Sequence, residues 1–419
     1  MPPSIATRQR LSEVRYEIRG ELARRARELE AQGRELVKLN IGNPGAFGFR
    51  APEHLQQAIT ENIERSDPYG HQQGLPEARE AIAAQQQARG ARHVSADRVF
   101  IGNGVSELID LSLRALLNPG DEVLLPSPDY PLWTAATLLN DGVAEHYPCE
   151  AANGFLPDPA QIESQITQRT RALVLINPNN PTGAVYPREL LEQLVAVAAR
   201  HRLLLMVDEI YDSIVYDDGV NDSVRFQPLA QLAGDLPCLT FGGLSKVHRA
   251  CGYRVGWVSL SGDVARTREY HHALDLLGAL RLCANVPGQW AVPAALNGED
   301  TITPLCQPGG RLHAARQAVI DACAASRWLS LSKPDGALYA FPGIDTKALP
   351  GFDDHRFALD VLENADVLIV PGNSFNVPYR NHFRVTLLPE PAQIADVFDR
   401  IERRLDVLAD LSASKRHVA

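Results

Sequence analysis

The chain has 419 residues, 45% of them apolar, enough for a large core and for two or three domains. Its 41 basic and 51 acidic residues leave a formal charge of -10, which argues against the basic face of a nucleic-acid binder. No window of ~18 apolar residues occurs, so no membrane span is expected, and the start Met1-Pro2-Pro3-Ser4 lacks the apolar region of a signal peptide. From Leu11 to Gln32, apolar residues (Val14, Ile18, Leu22, Ala26, Leu29) recur at helical spacing, and Gly33 ends the pattern. The opposite face carries Arg15, Arg19, Arg24, Arg25 and Arg27, which reads as a solvated stripe. A short strand, Val37 to Ile41, runs into the loop Gly42-Asn43-Pro44-Gly45. Helices are expected over 52–64 and 75–89, separated by the polar loop Asp67 to Gly74 with its one aromatic, Tyr69.

The middle of the chain alternates strands (98–101, 122–125, 172–176, 203–207, 239–241) with helices (105–117, 130–139, 187–201). Short, almost wholly apolar strands between helices predict an α/β fold with a mainly parallel sheet covered on both faces. After about Asn285 the texture changes. A Pro/Gly-rich stretch (304–310) leads into a helix over 311–325, then strands at 337–341, 367–370 and 383–387. The expected division is 1–50, an N-terminal arm with part of a small domain; 51–295, a large domain; and 296–419, the rest of the small α/β domain. Cysteines at 149, 238, 251, 283, 306 and 323 form no C-x-x-C pair and no zinc-spaced cluster, so free thiols of a cytoplasmic protein and no metal site are expected, with Cys251 in a packing role.

Chemistry-bearing residues fall at strand ends, where ligands bind in such sheets. Gly242-Gly243-Leu244-Ser245-Lys246 puts a lysine on a loosened turn, with Arg254 eight residues on. A lysine desolvated near another cation becomes a nucleophilic amine that can form an imine with an aldehyde, while an arginine fork can clamp a phosphate. A solvated loop lysine is the plainer alternative. Gly102-Asn103-Gly104-Val105-Ser106 opens a helix and offers free backbone N–H groups to an anion, or is simply a capped helix start. Asn177-Pro178-Asn179-Asn180-Pro181-Thr182-Gly183 is denser in rigid and polar residues than a connecting loop needs. Asp208, closing a buried strand, needs a partner such as a protonated pyridine nitrogen, or serves as a helix cap; Tyr211 follows three residues later. Tyr130, between two prolines, suits a flat ligand or the core. Arg384, within an apolar strand, suits a substrate carboxylate or an internal ion pair.

Taken in order, Asn-Pro-x-Asn-Pro-Thr-Gly, Asp-Glu-x-Tyr and Ser-Lys…Arg, with 28 residues from 180 to 208 and 38 from 208 to 246, closely resemble the aspartate-aminotransferase-like superfamily of pyridoxal-phosphate enzymes (fold type I, class I/II aminotransferases) over almost the whole chain. The resemblance implies a seven-stranded, mainly parallel sheet and a homodimer. It makes Lys246 the imine-forming lysine and proton shuttle, and Asp208 the partner of the pyridinium nitrogen. Asn180 and Tyr211 would bond the ring hydroxyl, and Tyr130 would stack on the ring. Gly104, Val105, Ser106 and Arg254 would cradle the phosphate, helped by Tyr69 of the partner subunit, with the basic helix at 15–27 bracing that contact. Gly42, Asn180 and Arg384 would hold the substrate carboxylate. Many relatives carry Ser or Thr where this chain has Gly243, and Ser245 would take that place. The stretches 174–186, 102–108 and 281–287 look most like bacterial glutamate–pyruvate (alanine) aminotransferases, implying alanine and 2-oxoglutarate as substrates. The alternatives are an aminotransferase for aromatic or branched-chain amino acids, a pyridoxal-phosphate C–S lyase, and an effector domain of a transcription regulator. The last would need a DNA-binding segment, for which the stretch before Leu11 leaves no room.

Overall fold

The computed structural model describes residues 5–14, 20–218 and 225–416, with side chains through 411. Strand β1 (Val37–Lys38) is followed by the strands of one large sheet: β2 (Val99–Gly102), β3 (Glu122–Ser127), β4 (Val143–Pro148), β5 (Thr170–Ile176), β6 (Leu204–Asp208), β7 (Cys238–Gly243) and β8 (Gly256–Ser261). Their order across the sheet is β2-β8-β7-β6-β5-β3-β4. Only β8 runs antiparallel to its neighbours. The expected seven-stranded, mainly parallel sheet is therefore present.

The apolar runs are continuous because both faces are buried. Leu173 and Leu175 join one core cluster with Leu124, Leu205 and Val207. Ala172, Val174 and Ile176 point the other way, into a second cluster with Val123, Leu125 and Met206. This is the two-residue period of a strand with a covering layer on each side.

Six short strands complete the count among the described residues: β9 (Leu329–Ser330), β10 (Tyr339–Ala340), β11 (Gly343–Ile344), β12 (Val367–Leu368), β13 (Val370–Pro371) and β14 (Phe383–Thr386). They pair as β1-β12, β10-β14-β13 and β11-β9. A third cluster packs these strands, apart from β13, whose Val370 joins the first cluster, against helices 311–325, 354–365 and 391–416, with Leu22, Ala26 and Leu29 added from the N-terminal helix. Tyr211, Ile214, Tyr216 and Val247 enter the same cluster from the large-sheet region.

The N-terminal helix departs from expectation. It covers Glu21–Ala31 rather than starting at Leu11, preceded by a 3-10 turn, Gln9–Glu13, and by Gly20 with non-helical dihedrals. Arg25 bonds Glu28 and Glu363, so part of the basic stripe is paired within the chain; Arg15 and Arg19 lie outside the described residues. No helix among the described residues is long and apolar enough to cross a membrane. All six cysteines are free, and burial pushes the thiols of Cys149, Cys238, Cys306 and Cys323 up to about 12, which makes them poor nucleophiles.

Candidate active site

The carboxyl ends of β2, β3, β5, β6 and β7 share one edge of the sheet. Because β8 runs the other way, its amino end lies there too, with Arg254 just ahead of it. The close approach depends on glycines. Gly256 pairs with both Gly102 and Gly243, and a Cβ on Gly256 would overlap the backbone of Gly104 and Val105. A Cβ on Gly243 would press on the Val255 carbonyl. The departure from Ser or Thr at this position therefore coincides with tight backbone packing.

A cleft of about 640 Å³ opens at this edge. It is lined by Lys246, Asp208, Tyr211, Val105, Ser106, Tyr130, Asn180, Ser245, Arg254, Gly42 and Arg384, all singled out from the sequence. Gly104 is the residue that starts the helix Val105–Leu116, at φ +89, and no side chain caps that helix. The side-chain-capped alternative therefore does not hold, and Val105 and Ser106 at the helix start line the cleft. A Cβ on Gly104 would overlap the guanidinium of Arg254. Arg254 donates to the carbonyls of Cys251 (2.9 Å) and Asn103 (3.1 Å), which fixes its fork beside the helix start. Tyr69 lies outside the cleft and is 81% exposed on the single chain.

Lys246 reaches across the cleft and donates from Nζ to the Gly42 carbonyl at 2.6 Å. It is thus a cleft residue, not a solvated loop lysine. Asp208 is 3% exposed. Its Oδ1 accepts from the Ile210 amide (3.2 Å) and its Oδ2 from the Trp133 indole (3.3 Å); no helix begins after it. Burial pushes its carboxyl up to about 6, against the opposing pull of those donors and of the Lys246 charge. Glu209, next in the chain, lines a separate cavity of about 150 Å³.

Asn180 is held in a loop in which the Asn179 side chain accepts from Thr182 (N at 3.1 Å and Oγ1 at 2.8 Å). Its Oδ1 accepts from Arg384 Nη1 at 2.9 Å. Arg384, 2% exposed, also donates from Nη2 to the Asn40 carbonyl at 2.5 Å, and its Nε is buried without a partner. A buried guanidinium that lines a cleft, with no carboxylate bonded to it among the described residues, can receive an incoming one.

Trp133 and Tyr339 contribute contacts that sequence reasoning missed. Both are aromatics inside apolar runs and look like core residues. The one signal for Trp133 was its place three residues after Tyr130, on the helix at the same sheet edge. Cys251, assigned to packing, does line the cleft and donates to the Ser245 carbonyl at 2.9 Å.

Comparison with known proteins agrees with this geometry. The family "Aminotransferase class I and II" matches residues 34–401. The chain is 46% identical over 380 residues to glutamate-pyruvate aminotransferase AlaA of Escherichia coli (strain K12), covering 91% of this chain and 93% of that protein. It is 44% identical over 399 residues to alanine aminotransferase of Mycobacterium tuberculosis (strain ATCC 25618 / H37Rv), covering 95% and 92%. A crystal structure of an aminotransferase from Escherichia coli superposes with a TM-score of 0.93 at 44% identity, covering 96% of this chain and 99% of that one. The chain belongs to the class I and II aminotransferases.

Proposed function

We propose that this protein is a pyridoxal-phosphate-dependent aminotransferase that converts L-alanine and 2-oxoglutarate to pyruvate and L-glutamate. The observation that carries the reading is one cleft holding an amine (Lys246), a buried acid (Asp208) and a buried guanidinium facing the opening (Arg384). The choice of alanine rests on relatives at 42–46% identity whose names state glutamate–pyruvate or alanine aminotransferase.

The residues fit the cofactor. The Val105 helix start, Ser106, Ser245 and the Arg254 fork form an anion cradle, and Gly104 leaves room there that a Cβ would fill. Tyr130 offers a ring to stack on. When bound, pyridoxal phosphate supplies an aldehyde for amines and a ring that accepts an electron pair. Asp208 would pair with the ring nitrogen and keep it protonated, its carboxylate balancing the positive charge. Tyr211, together with the amide hydrogens of Asn180, would donate to the ring oxygen, since Asn180 spends an acceptor on Arg384. Arg384, Asn180 and the Gly42 backbone bind and orient the substrate carboxylate. Lys246 Nζ would take the substrate's α-proton, hold it and give it back from the same side of the cleft. Donor and acceptor use the site in turn, which gives ping-pong kinetics.

Arg384→Lys keeps the charge but loses the planar fork and its aromatic stacking. The KM for both amino and oxo acid is expected to rise roughly 10–100-fold with a smaller change in kcat. Equal KM values in steady-state assays would remove Arg384 from the carboxylate site.

Purified protein given alanine and 2-oxoglutarate should produce pyruvate and glutamate in equal amounts. Ammonia release instead of glutamate would indicate a lyase, and a panel of donors compared by kcat/KM tests alanine against aromatic and branched-chain amino acids.

Supporting a two-part chain with divisions near 50 and 295, residues 22–49 pack with residues 302–405 in one cluster. The protein also acts as a homodimer in this reading, with the exposed Tyr69 completing the neighbouring phosphate cradle. Light scattering should give twice the chain mass, and Tyr69→Phe should weaken cofactor retention roughly 3–10-fold. A fully active monomer would end this part of the reading.

A further inference from the structure

Tyr339 stands where the two halves of the cleft meet. It lies on β10, paired with β14, the strand that carries Arg384. It is buried, yet its side chain lines the cleft. Its ring lies beneath the Arg384 guanidinium at 4.2 Å, with Phe375 stacked at 4.9 Å. Its hydroxyl accepts from the Tyr211 hydroxyl at 3.3 Å, and the two rings meet edge to face at 6.0 Å. A Cβ built on Gly42 would overlap the same phenol oxygen, so the phenol also walls the loop whose carbonyl receives Lys246.

We infer that Tyr339 is a positioning residue with two separable parts. Its ring face fixes the Arg384 fork for the substrate carboxylate, and its hydroxyl shares the Tyr211 proton with the cofactor's ring oxygen. This rests on the aminotransferase reading above.

The physical case has three steps. Among the described residues Arg384 has a donor, Nε, with no partner, and two anchoring hydrogen bonds, so the aromatic face beneath it adds restraint on its plane. A guanidinium restrained by contact with two aromatic rings keeps a fixed plane at the cleft, which a two-point grip on a carboxylate requires. Tyr211 has a single proton to donate, so whatever fraction goes to Tyr339 is withheld from a ligand oxygen. Burial pushes the Tyr339 phenol up, but the charges of Lys246 and Arg384 and the bond from Tyr211 together hold it below its ordinary value, in keeping with an acceptor role.

Tyr339→Phe keeps the ring and removes the hydroxyl; Tyr339→Leu removes both. In the holoenzyme, Tyr339→Phe should lower kcat roughly 3–10-fold with KM within about twofold of wild type. The visible absorbance of its bound cofactor should titrate about half a unit lower in pH, because Tyr211 then donates to the ring oxygen alone. Tyr339→Leu should weaken equilibrium binding of 2-methylalanine, which carries the carboxylate and amine but no α-hydrogen, by roughly 3–30-fold. Tyr339→Phe should bind that probe like wild type. An unshifted absorbance titration and unchanged kcat in Tyr339→Phe would overturn the hydroxyl part. Undiminished binding of 2-methylalanine by Tyr339→Leu would overturn the ring part. If Tyr339→Leu does not fold, Tyr339→Met takes its place and is judged in the same way. Wild-type protein without transamination would fail the functional reading itself, a result separate from any difference among the variants.

Discussion

Lys246→Ala is expected to remove turnover, by roughly 10²–10⁴-fold or more, together with the visible absorbance of the bound cofactor. The argument is positional. Lys246 sits on the turn that follows β7 and crosses the cleft to the Gly42 carbonyl at 2.6 Å, so its amine occupies the space between the two sides of the site. Alanine leaves no group there able to condense with an aldehyde or to carry the α-proton. The fold should tolerate the change. Lys246 is only partly buried and its one hydrogen bond contributes about 1 kcal/mol, so the urea midpoint should move little. Loss of activity with retained stability is thus the expected pair of results. Turnover within tenfold of wild type in protein free of host aminotransferases would mean that the amine at 246 is not the reacting group.

The same turn shows why so much of the site could be read from the chain. Residues that serve a ligand at a strand end break the local rules: a dense run of Asn and Pro after Ile176, an acid closing the apolar β6, an arginine inside the apolar β14. Such breaks stand out because burial of a polar group needs a partner. Residues that obey the local rules are silent. Tyr339 and Trp133 sit in apolar runs and pass for core until the coordinates place one under Arg384 and the other on Asp208. Edge strand β4 was invisible for a related reason. Its Glu145 and His146 interrupt the apolar pattern, since a strand at the sheet margin is covered less completely than a central one. The helix Val264–Leu280 has buried positions Thr267, Leu274 and Gly278, which form no apolar stripe, and only its Asp263 cap marks its start. Strand β8 is buried throughout, yet Ser259 and Ser261 alternate with its apolar residues, so it shows no continuous apolar run.

Asp208→Asn should separate function from stability most sharply. In the cofactor-free protein, burial raises the Asp208 carboxyl from 3.8 to about 6. A raised carboxyl binds its proton more tightly in the folded chain than in the unfolded one. Its stabilising contribution is therefore complete below the unfolded value and is lost as pH rises through about 6. Above that, holding the ionised carboxylate in the core costs roughly 2–3 kcal/mol. Asparagine removes this penalty but turns its amide toward the Trp133 indole, two donors face to face, at a cost of about 1 kcal/mol. The cofactor-free variant should thus be the more stable protein at pH 8, by roughly 1–2 kcal/mol, and should lose that advantage by pH 4. Glu209 is raised in the same sense, to about 8, chiefly by burial; the Asp208 charge adds to that rise only as the smallest cause, so both proteins should share most of the remaining fall in stability up to that pH. Activity should move the opposite way, by roughly 10²–10⁴-fold, because a neutral amide has no negative charge to keep the ring nitrogen protonated. Urea melts of both cofactor-free proteins from pH 4 to 8, set beside kcat/KM for alanine, check the two halves together. A stability difference that does not vary with pH would show that Asp208 is not a buried, proton-holding acid, and the assignment of its role would fall with it.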